Sequence, residues 1–404
     1  MLPLGLYIHV PFCHRICHYC DFAKTARFGD DDMQLYWEHV GSGVNAWLRW
    51  FRENRLAEIK FSSVFFGGGT PSVFSHEYEV FLNSIRSSLQ EGAEISIEAN
   101  PEDVSASNLE AWRNAGINRL SLGVQSFNDN GLKFLTREHS GAEAVEKVEL
   151  SKSYFDLVNI DLIYGWPEQS QKHWQDDLDM AVKLGVGHLS LYNLIYEPNT
   201  VIGRRKHRGL IYENSDADDL HFYEFARQKL KSAGFLHEEV SNWAMPGHSC
   251  KHNWLYWNCE SYIAVGPGAH GFLAQEGSDG IGVRYYVPRQ FPWHSRSSCL
   301  QAVKPNENIS DFIESLGGRI ETDRDRSTWV LELVSSSIRT DRGVALDRIE
   351  KILGRPFNPR PTVKIGIEQG LVKVDNSGRL KLIESEWFRE TYWALELALS
   401  YENR

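Results

Sequence analysis

Six short apolar runs divide the first half of the chain at intervals long enough for a helix between each pair. They are "LYIHV" (6–10), "FSSVFFGGG" (61–69), "EISIEAN" (94–100), "RLSLGVQSF" (119–127), "LVNIDLIYG" (157–165) and "HLSLYNLIY" (188–196). Each is rich in Val, Ile, Leu, Phe and Tyr and gives way to polar or Gly/Pro residues and then to a helical pattern. After the first run, Trp37, Val40, Val44, Trp47, Leu48 and Phe51 form one stripe. "SQKHWQDDLDMAVKLG" carries Trp174, Leu178, Ala181 and Val182 and stops at Gly185. A third pattern starts at Ser215, an N-cap with Asp218 three residues on, and continues through Leu220, Tyr223, Ala226 and Leu230. Parallel neighbours need a crossover long enough to hold a helix, so the alternation predicts an α/β fold on a parallel sheet. Six such units curve into a full or partial barrel, a (β/α)6 arrangement whose functional groups gather at the carboxyl ends of the strands.

The unusual polar residues fall at those ends. Three cysteines follow the first strand in "PFCHRICHYCDF", "GGGTPS" follows the second, Glu98 closes the third, Gln125 the fourth, and Asp161 with Gly165 marks the fifth. Five separate segments therefore deliver chemistry to one rim, and the candidate site is placed there.

Of six cysteines, only Cys13, Cys17 and Cys20 are clustered. The net charge of −11, the lack of an apolar run of membrane-spanning length and the lack of a signal-peptide layout point to a cytoplasmic protein with no affinity for nucleic acid. In a reducing compartment, clustered thiols are metal ligands or catalytic groups more often than disulfides. Thiolates at intervals of four and three residues suit an iron-sulfur cluster, or zinc with His14 or His18 as a fourth ligand. Four irons held by three cysteines leave one iron open to another ligand. Consecutive glycines let backbone N–H groups approach a ligand. "FFGGGTPS" thus reads as a tight turn or as a cradle for the amine or carboxylate of a small zwitterion such as S-adenosylmethionine.

From about Leu300 the character changes. "TWVLELVSSSIRTDRGVALDRIEKILG" predicts two short helices, and "GLVKVDNSGRLKLI" a hairpin turning at Asn376 to Gly378. Helices followed by a hairpin resemble a winged-helix module, but balanced charge makes a packing or covering role the better reading. The expected division is a barrel over 1–295 and a helical plus hairpin domain over 300–404.

CxxxCxxC after the first barrel strand is the signature of radical S-adenosylmethionine proteins. "LYIHVPFCHRICHYCDF", "FFGGGTPS", "IEANP", "RLSLGVQSFND", "NIDLIYGWPEQ", "HLSLYNLIYEPNT" and "VGPGAHG" resemble the oxygen-independent coproporphyrinogen oxidase group, most of all its HemW-type haem chaperones. The resemblance is dense over residues 1 to about 275. It implies that Cys13, Cys17 and Cys20 hold a 4Fe-4S cluster whose fourth iron takes the methionyl amine and carboxylate of S-adenosylmethionine. It also implies that Tyr7 and Tyr19 line the cluster and cofactor, that Gly68, Gly69 and Thr70 meet the methionine end, and that Glu98, Gln125, Arg137 and Asp161 contact the cofactors.

The oxidases carry a further cysteine two residues after the third, where this chain has Phe22, and a longer N-terminal extension. "HNWLYW" (252–257) fits the HNxxYW motif of the haem-binding members. Its His252 is a candidate haem ligand or haem-site residue beside Trp254, Tyr256 and Trp257, with His248, Cys250 and Cys259 nearby as lesser candidates. The bland reading is a histidine satisfied in a turn. The implied function is a chaperone that binds haem and delivers it to haem-requiring respiratory proteins, with peripheral membrane contact and a homodimer as further expectations. The alternatives are a radical enzyme acting on coproporphyrinogen and a zinc-stabilised barrel.

Overall fold

The computed structural model describes residues 4–54, 59–274, 282–289, 307–321 and 325–400. The six apolar runs are strands β1 (Gly5–Val10), β2 (Phe61–Gly68), β3 (Leu89–Ala99), β4 (Arg119–Gln125), β5 (Leu157–Tyr164) and β6 (His188–Asn193). They pair in sequence order, every pair parallel, and each crossover carries at least one helix. Burial along β1 and β5 is almost unbroken. Such a pattern belongs to strands covered on both faces.

The sheet does not close on itself. Beyond β6 it continues through β8 (Asn242–Ala244) and β7 (Leu236–Glu239), both antiparallel additions. Beyond β1 it continues through β9 (Tyr262–Val265), β10 (His270–Ala274), β11 (Gly282–Tyr286) and β12 (Arg319–Ile320). The six parallel strands are thus a partial barrel inside a twelve-stranded sheet.

The helix signals act as their chemistry predicts. Ser170 and Ser215 cap the helices Gln171–Leu184 and Asp216–Ser232 by accepting from His173 N and Asp218 N, and Gly185 ends the first of them in the left-handed region. Each such serine is worth about 1 kcal/mol over alanine. Trp174 is fully buried and donates to Phe222 O at 3.0 Å, tying the two helices together. Leu220, read as part of the buried stripe, is instead 39% exposed in the first turn, and Phe222 takes a core place.

The expected domain boundary at 295–300 lies outside the described residues. Residues 307–321, assigned by sequence to the second domain, pack on the barrel. β12 joins its sheet, and Phe312 inserts against Trp47 and Trp50 at centroid distances of 4.8 and 5.6 Å. Burying such a ring stabilises by roughly 2–3 kcal/mol, enough to hold a short helix in place. The remaining module begins with the helix Arg326–Ile338. It continues through β13 (Val344–Ala345), the helices Leu346–Leu353 and Pro361–Glu368, and a hairpin of β14 (Val372–Val374) and β15 (Arg379–Leu382). Its sheet order, β13-β15-β14, is that of a winged helix. A final helix, Glu390–Leu399, lies against the first.

Candidate cluster and cofactor site

The cysteine loop leaves β1 and is pinned at its ends. Thr25 N donates to Pro11 O at 2.7 Å and Cys13 N to Thr25 O at 3.0 Å. The glycine segment runs alongside, with Gly69 N on Val10 O at 2.6 Å and Thr70 N on Phe12 O at 2.7 Å. A Cβ on Gly69 would meet Phe12 O, Pro11 C and Val10 O at 2.8–2.9 Å, and Gly68 sits at φ +117° against the His9 ring. These glycines are required by close approach to the cysteine loop and by backbone conformation. On the far side, His18 N donates to Thr136 Oγ1 at 3.0 Å and Ile202 N to His18 O at 3.2 Å. The loop is therefore held by the chain itself from four segments.

Cationic groups face the thiols. Arg137 Nη1 approaches Cys17 Sγ at 3.4 Å, while its Nη2 donates to Asn100 Oδ1 at 2.5 Å and Gly123 O at 2.9 Å. Its Nε is buried with no hydrogen-bond partner. Burial opposes the guanidinium charge, but Tyr19, Cys17 and Glu102 more than offset it and hold the group firmly protonated. Lys24 Nζ donates to Cys20 O at 2.5 Å and Phe22 O at 3.1 Å. Burial pushes the Cys13 thiol up to about 11, against a hydrogen bond from Thr70, and raises Cys20 against the pull of Lys24. Ionising such thiols requires a partner carrying positive charge.

A polar wall continues inside the barrel. Asn100 Nδ2 reaches Thr70 Oγ1 at 3.4 Å, so Thr70, Asn100, Arg137 and Cys17 form one chain across four segments. Glu98 Oε2 accepts from Gly68 N at 3.1 Å, and burial, reinforced by Asp161, raises it to about 7. Asp161 lies within β5 and not at its end. Burial raises it to about 6, although Ser190, Asn159 and Ser121 hydrogen-bond to it. Gln125 holds φ +68° where the β4–β5 register shifts, a strained conformation for a residue with a side chain. Tyr7, Tyr19, Glu98, Gln125 and Asp161 are partly accessible, as a ligand-facing wall requires, while the Arg137 side chain is only 5% exposed.

Sequence reasoning passed over His9, Asn100 and Glu102. His9 Nε2 meets Ala23 O at 2.7 Å and Nδ1 meets Tyr7 OH at 3.0 Å. Burial lowers its pKa to about 4, so the ring is neutral at pH 7. A carbonyl can only accept, so Nε2 carries the proton and Tyr7 donates to Nδ1. Glu102 braces Arg137 and accepts from His139 at 3.1 Å. Asn100 and Glu102 flank Pro101 in "ANPED", and that polar pair at a strand end was the available signal.

His252 stands elsewhere. Its helix, Lys251–Trp257, packs at the amino ends of β1 and β2, where a Cβ on Gly5 would meet the His252 ring at 3.0 Å. The ring is fully buried, with Nδ1 2.7 Å from Ser63 Oγ and Nε2 2.8 Å from Tyr256 OH, and burial lowers its pKa to about 3. Beneath it, Glu94 Oε1 accepts from His252 N at 3.0 Å. Arg119 pairs with Glu94 at 3.0 Å and donates to His248 O and Ser249 O, both at 2.7 Å. The structure thus brings the cysteines, glycines and polar wall together at one end and leaves His252, Cys250 and Cys259 at the other.

Residues 7–181 match the family model of the radical SAM superfamily. The haem chaperone HemW of Haemophilus influenzae is 40% identical over 276 residues, covering 67% of this chain and 70% of that protein. HemW of Lactococcus lactis is 36% identical over 352 residues, 86% of this chain and 84% of the relative. The mitochondrial radical S-adenosyl methionine domain-containing protein 1 of Bos taurus is 32% identical over 384 residues, 93% and 83% of the two chains. Among solved structures, coproporphyrinogen III oxidase (HemN) from Escherichia coli superposes with a TM-score of 0.72 over 100% of this chain and 90% of that one, at 19% identity, a likeness of fold.

The superfamily implies a 4Fe-4S cluster and S-adenosylmethionine, and the residues fit both. Among the described residues, no three His, Cys, Asp or Glu side chains converge on a single ion. His14, a candidate fourth zinc ligand, turns outward to Asp103 at 3.4 Å. Cys13, Cys17 and Cys20 would hold the cluster, and Glu98, Gln125, Arg137 and Asp161 offer the carboxylate, amide and guanidinium groups that a zwitterionic nucleoside needs. When bound, the pair supplies one-electron reductive chemistry. With 84% of a HemW relative matched at 36% identity, the chain belongs to the radical S-adenosylmethionine superfamily and, within it, to the HemW family.

Proposed function

We propose that this protein is a haem chaperone that binds haem and hands it to haem-requiring respiratory proteins. The carrying observation is the identity to haem chaperones named HemW from two distant bacteria, which in one case extends over both the barrel and the C-terminal module. Phe22, 66% exposed, occupies the position of the oxidases' additional cysteine, which supports the chaperone reading over porphyrin synthesis. In this proposal the protein works in the cytoplasm, Cys13, Cys17 and Cys20 carry the cluster, and Tyr7, Tyr19, Gly68, Gly69, Thr70, Glu98, Gln125, Arg137 and Asp161 bind around it. Delivery involves peripheral membrane contact and a homodimer; no described helix is long and apolar enough to cross a membrane. Sequence offered His252 as a haem ligand or haem-site residue; because both its nitrogens are engaged, in this proposal it braces the barrel floor and haem is held without its ligation.

The test is an anaerobic haem titration of the cluster-reconstituted protein followed by absorbance, beside an assay for coproporphyrinogen conversion. Saturable haem binding without conversion is expected. Multiple-turnover formation of vinyl groups from coproporphyrinogen would make this a radical enzyme instead.

A further inference from the structure

Where the barrel floor meets the C-terminal module there is a cavity of about 470 Å³. It is lined from the barrel by Asn258 and Glu260, just after the helix that carries His252, and from the module by Arg342, Arg348, Arg379 and Lys381. Four cations thus face one space in a chain of net charge −11. Asp375, the other acid in the lining, is committed to its own turn, accepting from Ser377 and Arg379 backbone groups at 2.9 and 3.0 Å and pairing with Lys381 at 3.0 Å.

The guanidinium groups are held by backbone carbonyls and an aromatic face, and the acids within their field, Glu260 beside Arg348 and Arg342, with Glu238 and Asp341 beside Arg342, make no direct ion pair with them among the described residues. Arg348 donates to Asn258 O, and to Cys259 O at 2.9 Å. Arg379 donates to Arg342 O and Gly343 O, both at 2.7 Å. Carbonyls fix a guanidinium but do not cancel its charge, and each fork keeps N–H groups unused. Arg342 stacks over the Trp254 ring at 3.5 Å, which orients its plane and again leaves the charge. Cations anchored this way around a polar cavity are suited to bidentate capture of oxyanions.

We propose that this cleft binds a ligand bearing two carboxylate or phosphate groups and so clamps the C-terminal module to the barrel floor. Two sources share that chemistry: the propionates of haem, which would rest on the chaperone reading, and a free diphosphate, which would not.

The experiment titrates the full-length, cluster-reconstituted protein with pyrophosphate, with haem and with haem dimethyl ester, in wild type and in the double variant Arg342→Gln/Lys381→Gln. Arg342 makes no side-chain hydrogen bond among the described residues and the Lys381–Asp375 pair in the cavity wall is about one-third exposed, so the variant should fold, as checked by its thermal melt. Saturable, salt-sensitive pyrophosphate binding that weakens at least tenfold in the variant is expected. If haem weakens in parallel and its ester ignores the substitutions, the natural anion is the propionate pair. If haem affinity is unchanged while pyrophosphate binding is lost, the site serves a free phosphate. Absence of saturable pyrophosphate binding, or equal affinity in a folded variant, overturns the proposal. Failure of wild type to bind haem defeats the chaperone reading alone, because the cleft is judged on pyrophosphate.

Discussion

The two ends of the barrel are built from similar residue types to opposite effect. At the carboxyl end, Arg137 keeps a buried nitrogen unpaired, Gln125 is strained, and Glu98 and Asp161 are pushed toward neutrality by burial, Glu98 also by the charge of Asp161. At the amino end, both nitrogens of His252 are bonded, Glu94 and Arg119 are paired, and Arg119 also saturates two carbonyls. The orphaned Arg137 nitrogen and the raised carboxylates mark the end suited to a ligand, while the amino end, although His188 Nε2 and His248 Nδ1 lack hydrogen bonds, is tied mainly by paired side chains that hold the fold.

The strongest way to break this contrast is through the cysteines. Cys17→Ala should abolish cluster assembly, read as near-complete loss of iron and labile sulfide after anaerobic reconstitution. Cys250→Ala and Cys259→Ala should keep both. Full iron content in a Cys17→Ala sample would remove the cluster from this loop.

Arg119→Met acts at the other end. The side chain is 2% exposed and leaves Glu94 buried without its partner. Breaking such a pair costs about 3–5 kcal/mol, so the denaturant midpoint should drop while iron content per folded molecule is unchanged. A stable variant that loses iron would mean that the floor also shapes the cluster loop.

His252→Ala tests the same division more finely. It strands the Ser63 and Tyr256 hydroxyls and opens a cavity, at an expected cost of about 2–3 kcal/mol. Haem affinity of the folded fraction should stay within about threefold of wild type. Loss of haem binding with unchanged stability would return His252 to the haem site.

The rim was legible in sequence because its signals are local. Strand periodicity, the CxxxCxxC spacing and the glycine run each lie within a dozen residues, and strand ends in a parallel sheet converge by geometry. The floor was not legible, because its partners are remote: Glu94 with Arg119, and Ser63 with His252 across 189 positions. "HNWLYW" offers an imidazole beside aromatics under either reading, and nothing local in the sequence chooses between them. The attachment of residues 307–321 was hidden for the same reason, since Phe312 meets Trp47 and Trp50 far along the chain. At the rim itself, Asp161 was placed at a strand end but sits inside β5, because an inward-pointing residue and a terminal one look alike in sequence.

The smallest expected effect sets the two ends against each other through pH. Glu98 is raised from 4.5 to about 7 by burial first and by Asp161 second, so the folded state binds its proton more tightly than the unfolded state does. Its contribution is fully present below about pH 4.5 and is lost as pH rises to about 7. Above that the buried charge is a penalty. The floor works in the opposite sense: His188, the buried first residue of β6 with Nδ1 2.7 Å from Asn159 Oδ1, and His252, both lowered by burial from 6.5 to about 3, contribute fully above pH 6.5 and lose that contribution as pH falls toward 3. Glu98→Gln should therefore stabilise the apoprotein by about 1–2 kcal/mol at pH 8 and by nothing measurable at pH 4, while weakening S-adenosylmethionine binding to the reconstituted form. Acid lability below pH 6 should persist in that variant, because the floor histidines are untouched. Equal stabilisation at both pH values would show that Glu98 strains the rim by its shape and not by its charge.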